Sequence, residues 1–221
     1  KKLKVGILLR EVFMHEGYLF FSLMWLGCWY FIFISDESVN IRWRGMIRLL
    51  VGICFAGLSI HIFGIHLNLF FIAALLWSFY QWRNWTNKEL IRMTVAIFFI
   101  MIAFICIRIY SVLYPVWFII NWIYMAAAML VVLSIIFLES TKRISILSVA
   151  IILGEAVYSG ILYVYGFPVK EIGTFESLDL LLLTIAITIV LNKTHNLWTK
   201  RIPRRRVYHQ QHVGLKGKGI R

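Results

Sequence analysis

The run ISILSVAIILGEAVYSGILYVYG, residues 144–166, decides how this chain is read. It is apolar and long enough to cross a bilayer, and Glu155 sits near its middle. A carboxyl group at that depth costs roughly 2.5–3.5 kcal/mol on insertion scales before any partner is counted. The neighbours do not dilute that cost: Ile151, Ile152 and Leu153 precede it, and Ile161 and Leu162 follow. Ser148, Glu155 and Ser159 are spaced by seven and four, which puts them on one helix face. Gly154 and Gly160 predict close approach of a neighbouring helix. The other segments are expected to form the bundle that shields or uses this carboxyl.

Composition points the same way. The chain has 221 residues, of which 61% are hydrophobic, and its mean hydropathy is +0.82. Soluble domains average about 45–50% apolar residues, so the excess calls for a non-aqueous surrounding. Several runs approach or exceed ~18 residues with few charges, the length of a transmembrane helix. The expected fold is therefore all-α: a polytopic transmembrane bundle over residues 14–192, with no soluble globular part. Cys28, Cys54 and Cys106 each fall inside an apolar segment, without a C-x-x-C pair. They read as reduced, packed thiols and not as disulfide or metal ligands.

Seven spans are expected: Tyr18–Ile34, Leu49–Ile65, Leu67–Trp82, Met93–Leu113, Val116–Leu138, the opening segment, and Leu178–Leu191. Gly64 to Asn68 read as a tight hairpin, Pro115 as a second tight turn, and Phe167 to Ser177 as a loop. Gly52, Ala56 and Gly57 offer small-residue contacts on the second span. The net charge of +13 is distributed unevenly. Arg42, Arg44 and Arg48 follow span one; Arg83, Lys88 and Arg92 follow span three; Lys142 and Arg143 follow span five; a basic tail follows span seven. The links after spans two and four carry no Lys or Arg, and the link after span six is net acidic. By the positive-inside rule the N-terminus is outside and the C-terminus cytoplasmic. Trp77, Tyr80, Trp82 and Trp85 would then mark the inner interface, and Tyr110, Tyr114 and Trp117 the outer one.

Residues 1–13 break this pattern, because they would put four bases outside. Arg10-Glu11-Val12 can be encoded by a stretch containing AGGGAGGT, which resembles a bacterial ribosome-binding site just ahead of Met14. Residues 1–13 are thus expected to be untranslated leader or a non-native extension, with translation starting at Met14. The genomic codons test this. At the other end, the tail from Lys193 carries Lys200, Arg201, Arg204, Arg205 and Arg206 and no acid. It is expected to be disordered or to lie on anionic lipid headgroups, where each base is worth about 1 kcal/mol. A membrane-protein partner is the alternative, and nucleic acid is the less suitable one in this setting.

Glu155 leads the candidate chemistry. A buried carboxyl that loads and unloads a proton suits a proton-coupled carrier. Arg108 interrupts the fourth span and is the candidate counter-charge, about 7 Å nearer the outer surface by helical rise. The plainer reading is that Glu155 meets Arg108 or a hydroxyl and only fixes helix packing. His61, His66 and Asn68 form an outer-side polar cluster, with His15 and Glu16 on the same side. Five-residue spacing does not put both histidines on one helix face, so interfacial hydrogen bonding is expected and no metal. Asn121 reads as a hydrogen-bond donor between helices. No catalytic residue or cofactor is assigned. The seventh span has no lysine for a retinal Schiff base, and H-E-x-x-H, Walker A and dinucleotide patterns are absent from the sequence. Ser159-Gly160 lacks an obvious intramembrane His as base.

Met14-His15-Glu16-Gly17-Tyr18-Leu19-Phe20-Phe21, running into Trp25 and Trp29, resembles the start of the YphA-type membrane proteins of Bacillus and relatives. The resemblance implies a multi-pass protein of a bacterial plasma membrane and transfers no catalytic or binding residue. The leading expectation is a small, non-enzymatic accessory or assembly protein. A proton-linked carrier using Glu155 and an intramembrane enzyme are the alternatives.

Overall fold

The computed structural model describes residues 17–35, 38–62, 65–83, 85–114, 121–140, 142–167 and 171–216; the side chains of residue 62 and of 196–216 lie outside that description. The expected leader and the Met14 start therefore fall outside the described residues, as do Pro115 and Trp117.

Seven α-helices follow one another among the described residues. They are α1 (Tyr18–Trp29, continued as a π-helical turn over Tyr30–Ile34), α2 (Val39–Ala56), α3 (Leu69–Trp82), α4 (Asn87–Leu113), α5 (Trp122–Phe137), α6 (Arg143–Val164) and α7 (Phe175–Lys216). Three of them are long and apolar enough to cross a membrane: α4, α6 and α7 over Phe175–His195. Shorter apolar helices cover Tyr18–Ile34, Leu69–Trp82 and Trp122–Phe137. The exterior is apolar. Phe98, Phe99, Met125, Val132 and Ile136 are all exposed, which suits lipid and not water as the neighbour.

α6 is the central helix. Its apolar window is 67% buried, against 28% for α4, and it packs on α3, α4, α5 and α7. Close packing with α4 depends on Gly154, where an added Cβ would lie 2.6 Å from Phe104 Cδ1. Gly160 does not meet the expectation of a close neighbour: nothing lies within 4 Å of the position its Cβ would take. The difference is one of helix face, since Gly154 looks at α4 and Gly160 looks outward. On α2, Gly52 fits against Met24 and Phe70, and Ala56 is buried; Gly57 makes no such contact. Cys28 is buried, but Cys54 and Cys106 are free thiols on the exposed surface and are not packed inside.

The second expected span departs most from the sequence reading. α2 begins at Val39, carries Arg42, Arg44 and Arg48 in its first ten residues, and stops at Ala56. The chain then leaves the helix for a β-hairpin, β1 (Ser59–Ile62) and β2 (Ile65–Asn68). The fold is thus not purely α-helical. β1 pairs antiparallel with β2, and β2 pairs in parallel with β3 (Glu171–Ile172), a short strand within the segment expected to be a loop. The β-branched Ile60, Ile62 and Ile65 favour the extended backbone. Asn68 closes the arrangement: its Nδ2 donates to Ala56 O at the end of α2, and its Oδ1 accepts from Phe70 N at the start of α3. Gly173 follows β3 with φ of 82°, and an added Cβ there would lie 3.0 Å from the Asn68 side chain.

Other ends are set locally. Thr86 and Glu89 form a capping box that starts α4. Asn121 precedes α5 and accepts from Ile123 N at 3.1 Å. It is the N-cap of that helix, not a donor between helices, because the span starts later than hydropathy alone indicates. The helix α7 continues through Lys216, into the basic tail.

Candidate functional site

Glu155 is 2% exposed on α6. One turn of α7 supplies the groups around it. Ser177 is near enough to act on the Glu155 carboxyl, and its hydroxyl lies 3.2 Å from Thr174 Oγ1. Arg108 comes from α4, near enough for its charge to act on Glu155. The ion pair it forms is with Glu176, however, at 3.1 Å from Nη2 to Oε2. The expected Glu155–Arg108 contact is thus replaced by Arg108–Glu176, because the start of α7 brings a second carboxylate to the guanidinium. Arg108 does not snorkel into water. It is 8% exposed, with the Trp122 ring at 4.3 Å and the Tyr158 ring at 5.4 Å from Cζ. Two buried atoms of opposite character carry no hydrogen bond: Arg108 Nη1 and Glu155 Oε2.

Ser148 and Ser159 are buried on the Glu155 face of α6. Ser148 does not reach the carboxyl; its hydroxyl donates to Ile144 O at 2.8 Å. Thr184 and Thr188 likewise donate to carbonyls of their own helix, and Ser145 to Lys142 O just ahead of α6. By spacing, Ser177, Thr184, Thr188 and Asn192 share one face of α7. Glu155 and Ser177 adjoin at one end of the α6–α7 interface, and Arg143 Nη1 donates to Asn192 Oδ1 at 3.0 Å at the other. A row of buried hydroxyls joins the two ends.

Sequence reasoning passed over Asp179, Glu176, Ser177, Trp122 and Asn192. Asp179 is 4% exposed and accepts from Gly17 N and Phe20 N, at 3.1 and 2.6 Å. Its signal was available: it is an acid two residues inside an apolar run. At the opposite end of the bundle, Lys142 pairs with Glu89 and lies 3.7 Å from Glu139. The Glu89 carboxylate holds the Lys142 ammonium above its ordinary range. Asn192 Nδ2 donates to Ser140 O at 2.8 Å.

His61 and His66 stand directly opposite each other across the hairpin, with ring centroids 4.7 Å apart. The helical-face argument does not apply to them, because that part of the chain is a strand pair. Asn68 belongs to the helix caps and not to this pair. Among the described residues, no group of three His, Cys, Asp or Glu is placed to hold a metal ion. A half-open cleft of about 420 Å³ lies between the end of α1 and the start of α2, lined by Phe31, Ile32, Val39, Arg42, Trp43 and Met46. None of these belongs to the Glu155 cluster.

Neither a curated protein nor a solved structure matches the chain. A family model for YphA-like integral membrane proteins matches residues 16–213. With its apolar exterior, membrane-length helices and enclosed carboxyl, the chain belongs to the YphA-like integral membrane protein family.

Proposed function

We propose that the seven helices cross a bacterial plasma membrane, N-terminus outside and C-terminus cytoplasmic, and that the protein is a small non-enzymatic accessory or assembly component. The observation that carries this reading is the enclosure of Glu155. It is 2% exposed, and the groups around it tie α4, α6 and α7 together. The cleft described above is remote from the cluster by its lining. Those contacts suit a fastener between helices better than a substrate site. The orientation rests on the placement of Lys and Arg between segments. Lys200, Arg201, Arg204, Arg205 and Arg206 would lie against anionic headgroups, with a membrane-protein partner as the other candidate.

A proton-linked carrier is the second reading. It is favoured by the unpartnered pair Arg108 Nη1 and Glu155 Oε2, and by the hydroxyl row along α6 and α7. Reconstitution into vesicles under an imposed proton gradient separates the two. The accessory reading expects a leak equal to that of empty vesicles, and a Glu155→Gln variant that folds and behaves like the parent. A proton flux that Glu155→Gln abolishes would replace it with the carrier. Reporter fusions in the Arg83–Arg92 connection test the orientation; external placement inverts it.

A further inference from the structure

The cleft between the end of α1 and the start of α2, about 420 Å³ in volume, is apolar except for one guanidinium. Its α2 wall is a single helix face, since Val39, Arg42, Trp43 and Met46 follow the i, i+3, i+4, i+7 spacing. The walls are held as they stand. Phe31 lies against Gly45, where an added Cβ would come within 2.8 Å of the ring. Arg42 donates from Nε to Phe31 O and from Nη2 to Ile32 O, carbonyls of the π-helical turn that ends α1. Both acceptors are neutral, so they leave the guanidinium charge unbalanced. Among the described residues, no carboxylate pairs with Arg42. Neither wall helix contains an acid, whereas α2 carries three arginines. Ser38 does not cap α2 with its side chain, so the positive end of that helix dipole opens beside the cleft. Lys193 of α7 adds a base at the end of α1, with Nζ 5.4 Å from the Tyr30 ring centroid.

We propose that this cleft binds one anionic phospholipid, with its phosphate on Arg42 and an acyl chain against Phe31, Val39, Trp43 and Met46. The chain belongs to an integral membrane family, so lipid is the medium around a helix pair of this kind. The cleft volume falls in the range of about 300–1,000 Å³ usual for small-molecule sites. Five apolar lining residues and one cation match an amphiphile with an apolar tail and an anionic head. A guanidinium gives a phosphate a charge-assisted hydrogen bond. Trp43 is exposed, and its amphipathic ring suits the headgroup level. The site is separate from the basic tail, whose bases would attract headgroups collectively and without a pocket. It rests on the membrane setting alone, and on neither the orientation nor the accessory reading.

The test uses the full chain in a non-ionic detergent, titrated with phosphatidylglycerol or with phosphatidylcholine of the same acyl chains. Native mass spectrometry counts the lipid adducts. The first phosphatidylglycerol should bind roughly fivefold more tightly than phosphatidylcholine, the worth of one base near the headgroup. Arg42→Gln should remove that preference. Arg44→Gln with Arg48→Gln, turned away from Arg42 by the helical spacing, should weaken phosphatidylglycerol binding less than Arg42→Gln alone. Val39→Trp narrows the cleft from an exposed position. It should weaken both lipids by roughly tenfold, the equivalent of about two displaced methylene groups. Arg42→Gln also releases Phe31 O and Ile32 O. Melting temperatures identify a variant that fails to fold, and Val39→Trp, which leaves those bonds intact, then decides. Equal affinity of the parent for the two lipids would overturn the proposal, as would binding that Val39→Trp leaves unchanged. So would a first adduct lost only when Lys200, Arg201, Arg204, Arg205 and Arg206 are replaced by Gln, or a dimer in the same spectra that excludes lipid.

Discussion

The Asp179 carboxylate accepts the backbone N–H of Phe20 at 2.6 Å, so an acid on α7 caps the start of α1. Gly17 N donates to its other oxygen at 3.1 Å. The far end of the same helix has the opposite arrangement. Arg42 of α2 donates from Nε to Phe31 O and from Nη2 to Ile32 O. An acid at the N-terminus and a base at the C-terminus both match the sign of the helix dipole. A short helix is thus held at each end by a charge from a different helix.

Asp179→Ala should cost about 1–3 kcal/mol, because it leaves two N–H groups unpaired at a buried position. Asp179→Asn keeps an acceptor and should cost less. Thermal unfolding in detergent measures both, and equal losses would mean that the negative charge, and not the acceptor alone, carries the contribution.

Arg108 should resist conservative exchange. Arg108→Lys keeps the charge for Glu176 but loses the planar face over Trp122, at a cost of about 1 kcal/mol or more. Trp122→Leu should lose a comparable amount, and the double variant less than the sum. Glu176 is more than a third exposed, so Glu176→Gln should cost about 1 kcal/mol at most. The melting temperatures of the parent and the four variants supply the comparison.

The two glycines of α6 should behave oppositely. Gly154→Val drives a side chain into Phe104 and should destabilise by about 1–3 kcal/mol. Gly160→Ala has open space and should stay within about 0.5 kcal/mol of the parent. A Phe104→Leu change should recover part of the Gly154→Val loss in the same assay.

Asn68→Ala removes a carbonyl cap from α2 and an N-cap from α3 together, a loss of about 1–2 kcal/mol. Asn68→Asp retains the acceptor for Phe70 N but has no donor for Ala56 O. Its stability should fall between those of the parent and the alanine variant.

Lys142 gives a pH signature. Its folded-state pKa is raised above 10.5 by Glu89, so the pair's contribution is complete below that value and fades as pH rises through it. The stability difference between the parent and Glu89→Gln should be flat from neutral pH into the mildly alkaline range, then shrink above pH 10.5. A difference that grows with pH would contradict this.

Hydropathy identified the order of the helices and the helix that carries Glu155, because an apolar run of that length has few other solutions. It misjudged the second segment, where Leu49–Ile65 divides into a helix end and a strand. The residues there are apolar in either state, and only the Asn68 caps and the pairing of β1 with β2 decide between them. Asn121 shows the same limit: a cap and an interhelical donor look identical until the helix start is known. Glu176 and Asp179 were read as loop and span residues, since nothing nearby in sequence says which helix end they meet.

Taken alone, the sequence determined the medium, the succession of apolar helical segments and the presence of an acid on one of them. Those follow from side-chain transfer energies, which are summed locally. The tertiary structure decided which groups meet: Arg108 with Glu176, Asp179 with the start of α1, and His61 with His66 across the hairpin. Such partnerships depend on the register and rotation of segments far apart in the chain, and neither quantity is written in the residues that form them.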